Sequence, residues 1–331
     1  MPSPRTLSIG GATFDLFVSI DPRVIKESEG KEAVVLPLGD KIRVRAVTGQ
    51  CGGGASNTSV ALARLGCNAS FCGVVGDDQW GTALLENLKK EKVDTSSATV
   101  IEDETSSFSL VLNSPSGERV ILYEPGTNSH LHDVTFDKHN ASSMDWIYLN
   151  HIQPDSCSIQ DDMVDIFRSF PEAKMAWNPG GCQIDEGIQS KIIREMLQHT
   201  TLLLLNKEEA LKFANTKTVA QALHLLRDAG AKIVCITDGK HGVKACDATT
   251  KYECPTQPTA VVDTTGAGDA FGAGMTWALA TGLDLPTALR AGTINAKSVV
   301  GVVGAQPGLL TDTEMRSELK STTLEVASSP F

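Results

Sequence analysis

Val262-Asp263-Thr264-Thr265-Gly266-Ala267-Gly268-Asp269-Ala270-Phe271-Gly272-Ala273-Gly274 is the most informative stretch of this 331-residue chain. Met275, Trp277, Ala278, Leu279 and Ala280 follow, a run apolar nearly all round and closed by Gly282. A helix apolar on every side is a buried one, so the glycines stand at the start of a core helix. Free N–H groups and the helix dipole favour an anion at such a start. The missing side chains at Gly266 and Gly268 let that anion come close to the backbone. Asp269 puts a carboxylate in the same place. Amides that stabilise a moving phosphoryl group, beside a carboxylate that takes a proton from the attacking hydroxyl, suit phosphoryl transfer. The plainer alternative makes Asp269 a helix N-cap and the glycines a tight turn. Two other loops are excluded: there is no GxxxxGK[ST], and Phe271 stands where a dinucleotide fingerprint needs glycine.

A second glycine segment, Gly49-Gln50-Cys51-Gly52-Gly53-Gly54-Ala55-Ser56-Asn57, precedes a helical pattern over Thr58–Leu65 that Gly66 ends. Three glycines before a helix let a small ligand lie on the backbone, and Asn57 alone would read as an N-cap. Further out, Leu7–Gly10, Ser70–Val75, Trp146–Leu149, Lys174–Trp177, Leu202–Leu205 and Ile233–Thr237 read as buried strands. Helix-period stretches lie between them, at Gly81–Lys90, Asp161–Phe170, Ile188–Gln198 and Val219–Asp228. The alternation predicts an α/β fold: a mostly parallel sheet with helices on both faces, and ligands at the carboxyl ends of the strands. Val34–Val47 and Phe108–Tyr123 break the rhythm with extended, alternating segments, the second turning at Asn113-Ser114-Pro115-Ser116-Gly117. They read as one small β-sheet inserted twice, either a lid over the strand ends or two decorative hairpins. The polar residues Ser321–Phe331 are expected to fray.

Composition sets the limits. Hydrophobic residues are 41% and charged residues 21%, enough for a sizeable core. Lys plus Arg is 29 against 40 for Asp plus Glu, a net charge of -11. Such a surface repels nucleic acid and anionic membrane, so any anionic ligand must be held locally. The eight cysteines (51, 67, 72, 157, 182, 235, 246, 254) form no CxxC pair and are expected as reduced thiols. The N-terminal segment lacks an uninterrupted apolar core, and no run approaches a membrane span. The expectation is a soluble, cytoplasmic protein.

Together the segments DTTGAGDAFGAG and GGGASNTSVALARLG resemble the C-terminal and N-terminal signatures of the PfkB, or ribokinase-like, family of carbohydrate and nucleoside kinases. The resemblance runs from about Leu7 to Leu310. It implies a three-layer α/β/α fold as a single domain over 1–331, with a discontinuous β-sheet lid from about 14–48 and 106–124. It implies Asp269 as catalytic base and the amides of Gly266, Ala267 and Gly268 as anion hole. Asp15, Gly53, Gly54 and Asn57 match substrate contacts. Asn206, Thr237, Gly239, Gly242 and Asn295 match ATP contacts. Asn206 and Glu209 match the NxxE that organises Mg²⁺ and its waters; read bare, they are an ordinary helix start. Asp263 and Thr265, with the backbone of Val299, Val302 and Gly304, match a monovalent-cation (K⁺) site.

The chain departs from ribokinases in two places: Gly54 stands where they carry a lysine, and Leu149-Asn150-His151-Ile152 lacks their sugar-contacting glutamate. The resemblance therefore implies ATP- and Mg²⁺-dependent phosphorylation of a primary hydroxyl on a small sugar. A nucleoside acceptor and a non-catalytic sensor on the same scaffold are the alternatives. Arg43, Arg45 and Arg119 keep a phosphosugar open, and a homodimer through the lid is expected.

Overall fold

Buried runs such as Thr200–Asn206 and Ile233–Thr237 are apolar on both faces, which places them inside a sheet covered on both sides. The computed structural model describes residues 2–28, 31–114, 119–133 and 141–331. Its main sheet has ten strands. In spatial order they are Ala327–Pro330, Thr250–Cys254, Val243–Cys246, Ile233–Thr237, Thr200–Asn206, Lys174–Trp177, Trp146–Leu149, Arg5–Ile9, Asn68–Gly76 and Asp94–Ile101. From Ile233–Thr237 onward every pairing is parallel; the first three strands join antiparallel.

Two apolar cores flank this sheet. One lies under the helices Gly54–Arg64, Gln79–Lys90, Ala267–Ala280, Leu285–Val300 and Asp312–Ser321. The other lies under Ile159–Ser169, Gly181–Glu186, Lys191–His199, Lys207–Phe213 and Val219–Asp228. Three layers result, as the strand–helix alternation requires.

A second sheet stands apart, with strand order Ala46–Gly52, Thr13–Ser19, Phe108–Asn113, Arg119–Glu124. Its root is pinned by a stack in which Trp80, from the helix Gln79–Lys90, lies 4.5 Å from Phe14 and 5.3 Å from Phe108. Three further contacts tie it down: Gln50 Nε2 to the Val303 carbonyl (3.1 Å), Arg119 Nη1 to Asp263 Oδ1 (2.8 Å) and Gln153 Nε2 to the Tyr123 hydroxyl (3.0 Å).

Three expectations are corrected. The segment Val34–Val47 is not continuously extended: strands end at Val34 and resume at Ala46, because Pro37 and Gly39 turn the chain between them without a ladder partner. The tail does not fray, since Ala327–Pro330 pairs antiparallel with Thr250–Cys254 and Phe331 stacks on His224 at 4.3 Å. The cysteines are not all thiols: Cys157 and Cys182 form a disulfide between the segment after Trp146–Leu149 and the helix Gly181–Glu186. The other six are free. Burial pushes the Cys67 and Cys72 thiols up to about 12. The hairpin residues Pro115, Ser116 and Gly117 lie outside the described residues.

Candidate active site

The helix Ala267–Ala280 starts at Gly266, whose φ of 75° is left-handed. A Cβ there would strike Ala305, so glycine is required by conformation and by space. This turn puts Asp269 in the helix's first turn. The N–H groups of Gly268 and Asp269 have no carbonyl four residues back within the helix. Ala267 differs: its N–H donates to the Thr264 carbonyl at 3.3 Å, so this expected anion-hole amide is shared with the turn.

Asn57 lies inside the helix Gly54–Arg64, past its N-cap Gly53. Its Nδ2 donates to Asp269 Oδ2 at 2.8 Å. Gln306 fixes Asn57 in turn, donating from Nε2 to Asn57 Oδ1 at 3.2 Å and accepting from Asn87 Nδ2 at 2.8 Å. The residue expected on the substrate thus holds the carboxylate expected as base. Burial raises Asp269 to about 6, and the Asn57 hydrogen bond pulls it the other way. The residue keeps partial solvent access.

Asp15 shares a strand face with Thr13 and accepts a hydrogen bond from the Ser109 hydroxyl. It too is raised to about 6: burial raises it most, the Ser109 bond opposes, and the Asp263 charge adds to the rise. Gly53, with φ of 90°, has its Cα so near Ala12 that a Cβ would lie 2.6 Å from the Ala12 Cα.

Two cavities border the segments that carry Asp269 and Asn57. One, of about 410 Å³, is lined by Thr237, Gly239, Gly242, Thr264, Ala267 and Gly268, among others. The other, of about 290 Å³, is lined by Gly11, Thr13, Gly53, Gly54, Asn128 and His151, with Tyr123 and Gln153. Asp269 follows Gly268 of the first and is bonded to Asn57, three residues past Gly54 of the second. No Lys or Arg lines the second cavity among the described residues. Burial lowers the His151 pKa, which favours the neutral imidazole.

Other expected residues fall elsewhere. Asn295 is fully buried, donating to the Ala270 carbonyl at 2.8 Å and accepting from Leu310 N–H at 3.2 Å. It braces two helices and does not face the first cavity; Thr293, Ala296, Lys297 and Val300 of the same helix do. Asn206 and Glu209 meet each other: Asn206 Oδ1 accepts from Glu209 N–H at 2.9 Å, and Glu209 Oε2 accepts from Asn206 N–H at 2.8 Å. Burial raises the Glu209 carboxyl. Among the described residues, no three His, Cys, Asp or Glu side chains cluster in a way that could hold a metal ion.

Residues 23–312 match the pfkB family of carbohydrate kinases. The chain belongs to that family. It is 31% identical over 314 residues to the ribokinase of Bacillus subtilis, covering 94% of this chain and 98% of that one. The Arabidopsis thaliana ribokinase solved with ribose and ATP superposes with a TM-score of 0.80 at 23% identity, covering 97% of this chain and 100% of that one. A Burkholderia thailandensis nucleoside kinase in complex with inosine gives 0.76 at 17% identity, covering 96% and 98%. These last two show the ribokinase-like fold. Membership makes the protein a sugar or nucleoside kinase. No helix among the described residues is long and apolar enough to cross a membrane.

Within this pfkB kinase the cavities are lined by the expected residues Gly53, Gly54, Thr237, Gly239, Gly242, Ala267 and Gly268, and also by Asn128 and Gln153, which the sequence did not mark, as it did not mark the Asn57 partner Gln306. Asn128 is buried against the second cavity, accepting from Ala12 N–H at 3.3 Å and donating to Thr13 Oγ1 at 3.4 Å. Nothing local marks it; only the fold brings residue 128 to residue 12.

Proposed function

We propose that the protein transfers the γ-phosphoryl group of ATP to a primary hydroxyl of a small sugar of ribose, fructose or keto-deoxy-sugar type. The observation that carries this reading is the Asn57-held carboxylate of Asp269 at a helix start, with one cavity on Ala267 and Gly268 and another on Gly53 and Gly54. The cavity ending on Ala267 and Gly268 takes the nucleotide, with Thr237, Gly239 and Gly242 around it. The cavity at Gly53 and Gly54 takes the sugar, and Asp15, two residues along the strand from the lining residue Thr13, is the double acceptor for its hydroxyls.

Asp269 accepts the proton of the attacking hydroxyl as its oxygen forms the bond to phosphorus and the bridging oxygen leaves with ADP. The N–H groups of Gly266, Ala267 and Gly268 stabilise the charge on the transferring group. Asn206 and Glu209 offer hard oxygens that suit Mg²⁺ through its waters, with the ion arriving on the triphosphate. Bound there, it would neutralise phosphate charge. The second sheet acts as a lid that excludes water from the reacting groups. Among the described residues no Lys or Arg lines the second cavity, which favours an acceptor without a phosphate over a phosphosugar.

A nucleoside acceptor is the second reading, favoured by the Tyr123 ring at the wall of the sugar cavity. A panel of ribose, fructose, 2-keto-3-deoxygluconate, adenosine, cytidine and pseudouridine separates the two by which member consumes ATP. A homodimer through the lid accompanies this proposal. It is supported by the strand Arg119–Glu124, a sheet edge exposed along its length with Ile121 50% and Leu122 55% accessible. Light scattering that gives the mass of one chain at working concentration would rule the dimer out.

A further inference from the structure

Arg119 begins the last strand of the lid sheet and lies 144 residues from Asp263 in sequence. Its Nη1 donates to Asp263 Oδ1 at 2.8 Å and its Nη2 to Thr264 Oγ1 at 3.3 Å. The Asp263 side chain is 8% exposed and that of Arg119 31%. Asp263 Oδ1 also accepts from Thr265 N–H at 2.9 Å and Thr265 Oγ1 at 2.7 Å, and Oδ2 accepts from Gly304 N–H at 3.0 Å. Three of these donors, Arg119 among them, converge on Oδ1, which has only two lone pairs, while Oδ2 accepts one. Of the expected carbonyl ligands, that of Val299 accepts from Val302 N–H at 3.2 Å.

A monovalent cation does not fit this arrangement. It would compete with Arg119 for Asp263 Oδ1 and would lie beside a guanidinium of like charge. Burial by itself would raise Asp263, yet the N–H groups of Thr265 and Gly304, the Thr265 hydroxyl and Arg119 hold its carboxyl below the ordinary range. The positive group set against this carboxylate is the Arg119 guanidinium, which comes from the lid.

We propose that Arg119 takes the place of the monovalent cation on Asp263, so that lid closure itself sets the 263–268 turn that carries the anion hole. Arg119 is a positioning residue: it acts through Asp263 and Thr264 on the amides of Gly266 and Gly268. A guanidinium suits the task because its planar fork binds two acceptors at once. The kinetic part of this proposal rests on the phosphoryl-transfer reading; the cation part does not.

The test compares potassium chloride with tetramethylammonium chloride at equal ionic strength, for the wild-type chain, Arg119→Ala and Arg119→Lys. Melting temperature is read for all three, and phosphoryl transfer to whichever panel member is accepted. The wild type is expected to melt and turn over alike in both salts. Arg119→Ala in tetramethylammonium should lose about 10- to 100-fold in kcat, the size of coupling between linked sites, with KM for the sugar changed far less. Potassium should raise both its melting temperature and its rate, while Arg119→Lys keeps cation independence. A potassium-dependent melting temperature in the wild type overturns the proposal whether or not any acceptor is found. So does an Arg119→Ala protein that folds and turns over like the wild type in tetramethylammonium. If Arg119→Ala does not fold, potassium activation of Arg119→Lys has the same force.

Discussion

Asp269 carries two opposed demands, and both are visible in its surroundings. Burial raises its carboxyl to about 6, while the Asn57 hydrogen bond keeps it low enough to be ionised near neutrality. A base must have lost its proton, so kcat/KM should fall as pH drops below about 6. The fall should be steeper than one proton allows, because Asp15 is raised to about 6 as well and must also be ionised to accept hydroxyls. Replacing Asn57 by Ala removes the bond that lowers Asp269, so the acid limb should move to higher pH. A pH profile unmoved in Asn57→Ala would separate Asn57 from the base. Stability runs the other way: between pH 3.8 and about 6 the folded chain holds protons that the unfolded chain has lost, so stability falls as pH rises through that window.

At the scale of elements, the helix Ala267–Ala280 was legible because its turn, anion-binding start and apolar body are contiguous. Gly266 stands in the left-handed region against Ala305, where a side chain costs about 1–2 kcal/mol before any collision. Gly266→Ala should therefore lower the melting temperature and reduce kcat more than KM, because the amides at the helix start shift together. Urea unfolding with steady-state kinetics checks it, and an Ala variant equal to wild type in both would contradict it. The helix Leu285–Val300 shows where reading failed. Thr293, Ala296, Lys297 and Val300 are spaced i, i+3, i+4 and i+7 and form one stripe on the first cavity. Asn295 falls off that stripe and turns inward to Ala270 and Leu310. Helical phase decided its role, and a motif match does not report phase. The strand Ala327–Pro330 was missed for a different reason: its pairing is made by backbone groups, which its polar side chains do not advertise.

Across the whole molecule, the features hidden from the sequence are those that join distant segments. Asn57 and Asp269 are 212 residues apart, and Arg119 and Asp263 are 144 apart. Neither pair has a local signature, yet together they align the base and tie the lid to the anion-hole turn. On the proposed reading the acidic chain holds its anions with backbone at Gly266–Gly268, and the Arg119 guanidinium that reaches this turn is on a carboxylate. The lid also reaches the second cavity through Tyr123, whose hydroxyl accepts from Gln153 of the main body. Lid position, acceptor site and phosphoryl site are thus mechanically joined. The most direct test of the central claim is phosphorus NMR of the acceptor panel with ATP and Mg²⁺, comparing the wild type with Asp269→Asn. The account predicts a phosphate ester on a primary hydroxyl of one member, formed on the order of 10²–10⁴-fold more slowly by Asp269→Asn. An Asp269→Asn protein that forms the ester at the wild-type rate, or a wild type that binds sugar yet consumes no ATP with any member, would contradict it.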